Sequence, residues 1–184
     1  APGDGAGGGA GERPSQEMAE SMQPAAPDRP LDPEAQQFAE MIGRLERVLE
    51  NRPDDARGHR LLADGYARLG RHAEAWRTYE TLIDILGGDA EPALHAAQAE
   101  SMIRAAGGYV SPEAEATLSR ALLRDPSLPI ARLYQGLAQA QRGRLGQAVA
   151  TWEALEADAA EDAPWRGALE RMLARARDQQ AGGG

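Results

Sequence analysis

The chain has 184 residues, of which 37 are alanine, 21 glycine and 12 proline, with eight aromatics, no cysteine and no lysine, so that all 20 basic residues are arginine. Alanine buries little surface, and β-branched and aromatic residues are sparse, which excludes a bulky β-sandwich core and favours helices that approach closely over small side chains. A formal charge of -9 is unsuited to binding a phosphate backbone, the lack of cysteine excludes disulfide staples and thiolate zinc sites, and no run of eighteen apolar residues or signal-peptide pattern occurs.

Residues 1–32 carry six glycines, five prolines and six acids against one leucine and two methionines. So little apolar surface cannot offset the entropy of ordering, and a disordered Gly/Pro-rich tether is expected there. The run GDGAGGGAG lacks the preceding strand, the GK[ST] and the following apolar helix of a phosphate loop, so it reads as linker. The chain opens on Ala1, which is read as the start of a fragment or processed product.

From Asp32 the punctuation becomes helical. Asp32-Pro33-Glu34 has the order of an N-cap, a proline at the first helical position and an acid in the first turn, and Phe38, Met41, Ile42, Leu45, Val48 and Leu49 follow at helical spacing. The same grammar returns at Ser111-Pro112-Glu113 and at Ala163-Pro164-Trp165. The predicted helices, in order, cover about 33–51, 55–69, 72–86, 90–106, 112–124, 129–142, 145–157 and 163–180.

Leu62, Ala63, Tyr66, Gly70, Ala75 and Tyr79 fall at the offsets that a tetratricopeptide (TPR) repeat gives to its leucine, small, tyrosine, turn, small and aromatic residues. Gly136, Gly143, Ala148 and Trp152 repeat that order, a stretched copy containing Ala114 and Leu118 lies between, and Met41, Leu45 and Val48 stand one 34-residue step before Ala75, Tyr79 and Leu82. The chain therefore resembles an all-α solenoid of about three TPR repeats over 33–180, with an N-terminal half repeat, a capping helix from 163 and a flexible tail at 181–184. Such units bury their apolar faces only by stacking, and the stack offers a concave groove.

The run IGRLERVLENRPDDARGHRLLADGYARLGRHAEAWRTYETL, the segment AAGGYVSPEAEATLSRALLRDP and the closing DAPWRGALERML are similar to the periplasmic TPR domain of the CcmI (CycH) family of cytochrome c maturation proteins. His59 departs from the repeat pattern by standing where tryptophan is usual. The resemblance implies a non-catalytic chaperone or adaptor that holds the C-terminal helix of apocytochrome c and presents it to the haem-ligation complex. It further implies a periplasmic location, with attachment to the inner membrane only through an N-terminal region outside this sequence, and assigns haem handling to partner proteins, so no cofactor is expected for this chain. Two alternatives share the fold: an adaptor for a nitrite-reductase branch of haem attachment, and an envelope-assembly scaffold working through its convex face.

In TPR domains, positions two, five, nine, twelve and thirteen of each first helix usually face the groove. The resemblance thus nominates Arg57, Arg60, Asp64, Ala67 and Arg68 in the first repeat and Ile130, Leu133, Leu137, Ala140 and Gln141 in the third. The third-repeat stripe suits an amphipathic ligand helix, yet Leu133, Tyr134, Leu137 and Ala138 could equally pack on neighbouring helices, and both readings stay open. In the second repeat two alignments of 90–106 are possible, with Met102 or Ile103 facing either way. Arg57 and Arg60 could clamp a peptide carboxylate, although ordinary surface pairs of Asp64 with Arg60 and Arg68 are the preferred reading. His59, His72 and His95 lack metal-ligand spacing and read as core or surface histidines. The carboxylates Glu156, Asp158, Glu161 and Asp162 read as a solvated helix end. Trp76, Trp152 and Trp165 read as fillers of interhelical gaps.

Overall fold

The computed structural model describes residues 33–182. The tether expected over 1–32 and the last two residues of the expected tail lie outside the described residues.

Among the described residues eight helices follow one another: α1 Pro33–Glu50, α2 Ala56–Arg68, α3 His72–Leu86, α4 Pro92–Ala105, α5 Pro112–Arg124, α6 Pro129–Gln141, α7 Leu145–Ala157 and α8 Arg166–Gly182, with a 3₁₀ turn at Gly87–Asp89. Their starts are chemical. Pro92, Pro112 and Pro129 occupy first-turn positions, where the missing N–H costs nothing. Asp55 accepts the amide of Gly58 at 2.9 Å and Ser111 that of Ala114 at 3.2 Å, each satisfying a donor the helix cannot. The first helices of the three repeats share one exit. Gly70, Gly107 and Gly143 all have positive φ, and the next amide returns to a carbonyl five residues back: Arg71 to Tyr66, Gly108 to Ile103 and Arg144 to Gln139. These glycines turn each first helix into its second.

The hairpins α2/α3, α4/α5 and α6/α7 stack in sequence, α1 packs on α2 as a half repeat, and α8 closes the far side of α7. Three core clusters alternate along the stack. The first joins Ile42 and Leu49 of α1 to Tyr66, Tyr79 and Leu94; the second joins Ile103 of α4 to Leu118 and Tyr134; the third joins Leu133 to Trp152, Leu155, Leu169 and Leu173. Helices α4 and α6 each contribute to two clusters, so each of these two first helices joins its own repeat to the one before it. The fold is the all-α TPR solenoid that the repeat pattern implies.

Small residues set the helix spacing. A Cβ on Gly136 would lie 2.2 Å from Trp152 Nε1, and one on Gly65 2.2 Å from Ile42. The half repeat is covered less than the complete ones. Ala75, Tyr79 and Leu82 are buried, whereas Met41 and Val48, one repeat earlier, are 54% and 48% exposed. The last helix departs furthest from the sequence expectation. Helix α8 starts at Arg166 rather than 163, because Ala163 to Trp165 form a turn in which the Arg166 amide reaches the Ala163 carbonyl at 3.0 Å, and it runs on to Gly182, into the segment expected as a tail.

Candidate peptide-binding groove

The first helices α2, α4 and α6 bring two adjoining clefts together, joined at Ala97 and Glu100 of α4. One, of about 200 Å³, is lined by Ala93, Ala96 and Ala97, by Leu128, Pro129 and Ile130 at the start of α6, and by Trp165. The other, of about 320 Å³, lies between the last turns of α2 and α4, where Arg68, His72, Ser101 and Arg104 surround Tyr79 and Ala97. The alanines cause the first opening. At positions 93, 97, 100 and 104, spaced four, three and four, α4 presents one stripe, and its two alanines are too small to fill the gap to α6.

Charge in the groove is largely paired. Glu100 and Arg104 form an ion pair at 2.9 Å, and Glu100 also accepts the Tyr134 hydroxyl at 3.3 Å. Burial, reinforced by Glu100, pushes the Tyr134 phenol up to about 12. Tyr79 donates to Asp64 at 2.6 Å, and burial followed by that carboxylate raises its pKa further still. His72 is held below the usual imidazole range by burial and then by Arg104.

The nominated residues divide. Ile130, Ala67 and Arg68 line the clefts, while Ala140 packs against the third core cluster. Arg60 instead reaches Glu91 at 3.1 Å, tying the first repeat to the second. Arg57 is exposed, with no ion pair among the described residues. The expected pairing of Asp64 with Arg60 and Arg68 is corrected: Asp64 turns to Tyr79, while the Arg68 guanidinium lies 4.4 Å over the Phe38 ring. Leu133 is also corrected. At 4% exposure it belongs to the core under α7 and α8, and its carbonyl accepts Trp152 Nε1–H at 2.9 Å. Leu137 is half-buried between two clusters. Gln141 brackets the glycine connection, accepting from Val110 N at 2.9 Å and donating to Gly108 O at 2.7 Å.

On α6, Arg132 pairs with Asp158 at 2.7 Å, and Gln139 accepts the Thr151 hydroxyl at 2.9 Å. The alignment of α4 is settled, since Ile103 is buried and Met102 is half-buried at the edge of the same cluster. His59 Nε2 sits 2.9 Å from the Pro53 carbonyl. Among the described residues no three His, Asp or Glu side chains gather as a metal site, and no helix is long and apolar enough to cross a membrane. Trp152 fills the notch over Gly136, but Trp165 lines the groove. The sequence reading missed Ala93, Ala97, Arg104 and Trp165. The 93/97/100/104 spacing could have found the first three; for Trp165 the signal was a bulky aromatic directly after Pro164.

Tandem helix hairpins stacked around shared cores, with a cleft along their first helices, define a TPR solenoid. A tetratricopeptide-repeat family profile matches residues 111–164, and a profile described as a bacterial transcriptional activator domain matches residues 17–101. The chain is similar to the cytochrome c-type biogenesis protein CycH of Bradyrhizobium diazoefficiens, with 37% identity over 135 residues, 73% of this chain and 36% of that one. It is likewise similar to CycH of Rhizobium meliloti, with 32% identity over 166 residues, 86% of this chain and 43% of that one. Against CycH of Pseudomonas aeruginosa the identity is 28% over 145 residues, 79% of this chain and 35% of that one. The chain carries a TPR domain of the CycH, or CcmI, family, and it spans less than half the length of these relatives.

Proposed function

We propose that this domain serves cytochrome c maturation as a non-catalytic holder of apocytochrome c, receiving the client's C-terminal helix along α2, α4 and α6 and presenting it to the haem-ligation complex. The names of its relatives place those proteins in cytochrome c-type biogenesis, which supports the pathway. The observation that carries the binding mode is the apolar cleft of Ala93, Ala97, Ile130 and Trp165 beside charged Glu100 and Arg104. A low apolar trough with a polar margin matches one face of an amphipathic helix. A client segment that folds as it docks spends ~2 to 5 kcal/mol of its contact energy on ordering, which keeps the complex reversible for hand-over. The setting proposed is the periplasm, with membrane attachment supplied by parts of the protein beyond this sequence.

Ala93 is exposed and lines the cleft, so Ala93→Arg blocks the trough without entering the core. Calorimetry with a synthetic peptide of a c-type cytochrome C-terminal helix is expected to show binding to the parent domain and a loss of about tenfold or more in the variant. Unchanged affinity in a folded variant would remove the groove from the mechanism.

A further inference from the structure

Taking the groove as the helix-binding face proposed above, we propose that the cleft at the last turns of α2 and α4 is a carboxylate subsite, in which Arg68 and Arg104 receive the terminal α-carboxylate of the bound helix. The ligand would then run in a fixed direction, its C-terminal end between Arg68 and Arg104 and its earlier turns over Ala93, Ile130 and Trp165.

Four observations carry this. Arg68 has no carboxylate partner among the described residues, and its guanidinium is steadied by the Phe38 ring at 4.4 Å, which leaves its N–H edge available. Arg104 lines the same cleft; its partner Glu100 is shared with the Tyr134 hydroxyl, so the one acid of the cleft is already engaged twice. Asp64, one turn from Arg68, is held by the Tyr79 hydroxyl. The cleft is therefore locally cationic in a chain of net charge -9.

Geometry selects the terminal carboxylate over an acidic side chain. The cationic cleft lies at one end of the trough, where Arg68 and Arg104 occupy the last turns of their helices, and the apolar cleft lies at the other, beside the start of α6. A helix end offers there a full negative charge, the negative end of its dipole and unsatisfied carbonyls, all matched to a guanidinium fork.

The test uses the cytochrome c C-terminal helix peptide in three forms: free acid, C-terminally amidated, and free acid with its last-turn Asp and Glu changed to Asn and Gln. Each is titrated against the parent domain, Arg68→Gln/Arg104→Gln and Ala93→Arg, with helicity and melting checked for every variant. Amidation is expected to weaken binding to the parent about tenfold, the double variant to bind the free acid about as weakly and to lose the discrimination, and the Asn/Gln peptide to bind the parent as the free acid does. Equal affinity of the free and amidated peptides overturns the proposal, as does discrimination that survives in the double variant. Weakening only by the Asn/Gln changes also overturns it, assigning the cleft to a side chain. Equal binding of free and amidated peptides that Ala93→Arg abolishes leaves the groove standing and removes the carboxylate subsite alone; absence of binding by every peptide sinks both.

Discussion

Gly136 lies under the indole of Trp152, which is 2% exposed and anchored by its hydrogen bond to the Leu133 carbonyl. A methyl group there would gain about 1 kcal/mol of helix propensity but must displace a rigid, hydrogen-bonded ring rather than a flexible chain end. Gly136→Ala is therefore expected to destabilise the domain by about 1 to 3 kcal/mol in urea unfolding, and a neutral or stabilising result would show that α6 and α7 can part freely. This pair was legible in the sequence, because a small residue and an aromatic at repeat offsets specify each other. Leu133 was not: the spacing of Ile130, Leu133 and Leu137 describes one helical stripe and cannot tell which of its members another helix will cover. Packing of α7 and α8 takes Leu133 and leaves Ile130 at the groove.

Most helix starts are legible in the sequence because their signals act within one turn. Ser111 caps α5 through the Ala114 amide, with Pro112 following. Ser111→Ala leaves that amide without its partner and should cost about 1 kcal/mol, seen as a lower unfolding midpoint with an unchanged denaturant slope. No loss would mean that another acceptor takes over the cap. Helix α4 was harder, since buried Gln98 and Ser101 interrupt its apolar periodicity. Its weak pattern hid which face turns to the groove. The start of α8 was displaced for a related reason: Pro164 resembles a first-turn proline, but the chain makes one more turn and carries Trp165 to the cleft.

Across the whole molecule, contacts one repeat apart join the stack. Arg60 meets Glu91, Tyr134 meets Glu100, Gln141 meets Gly108, and Arg124 reaches the Ala90 carbonyl. Within this stack the Nδ1 atoms of His72 and His95 are buried without a hydrogen-bond partner among the described residues. Burial lowers both pKa values below 6.5, helped by Arg104 at His72 and by Arg120 and Arg124 at His95. The folded chain thus binds fewer protons than the unfolded chain between the two values, so this stability is present above 6.5 and is lost as pH falls through the folded values. Glu74 and Glu113 have pKa values lowered from 4.5, and their contribution fades only at greater acidity. The urea midpoint is expected to fall between about pH 7 and about pH 5, and the double variant His72→Asn/His95→Asn to show a shallower fall. Parallel pH profiles for the two proteins would refute the assignment to these histidines.

By itself the sequence determined the helices, their caps, the glycine exits and the repeat that joins them, because each depends on residues within a few turns of one another. Only the tertiary structure decided that Leu133 is core, that Asp64 serves Tyr79 instead of its neighbouring arginines, and that Arg68, Arg104 and Trp165 share a groove. Each of those outcomes depends on a partner from another helix, and a single helix carries the periodicity of its faces but not the identity of what covers them.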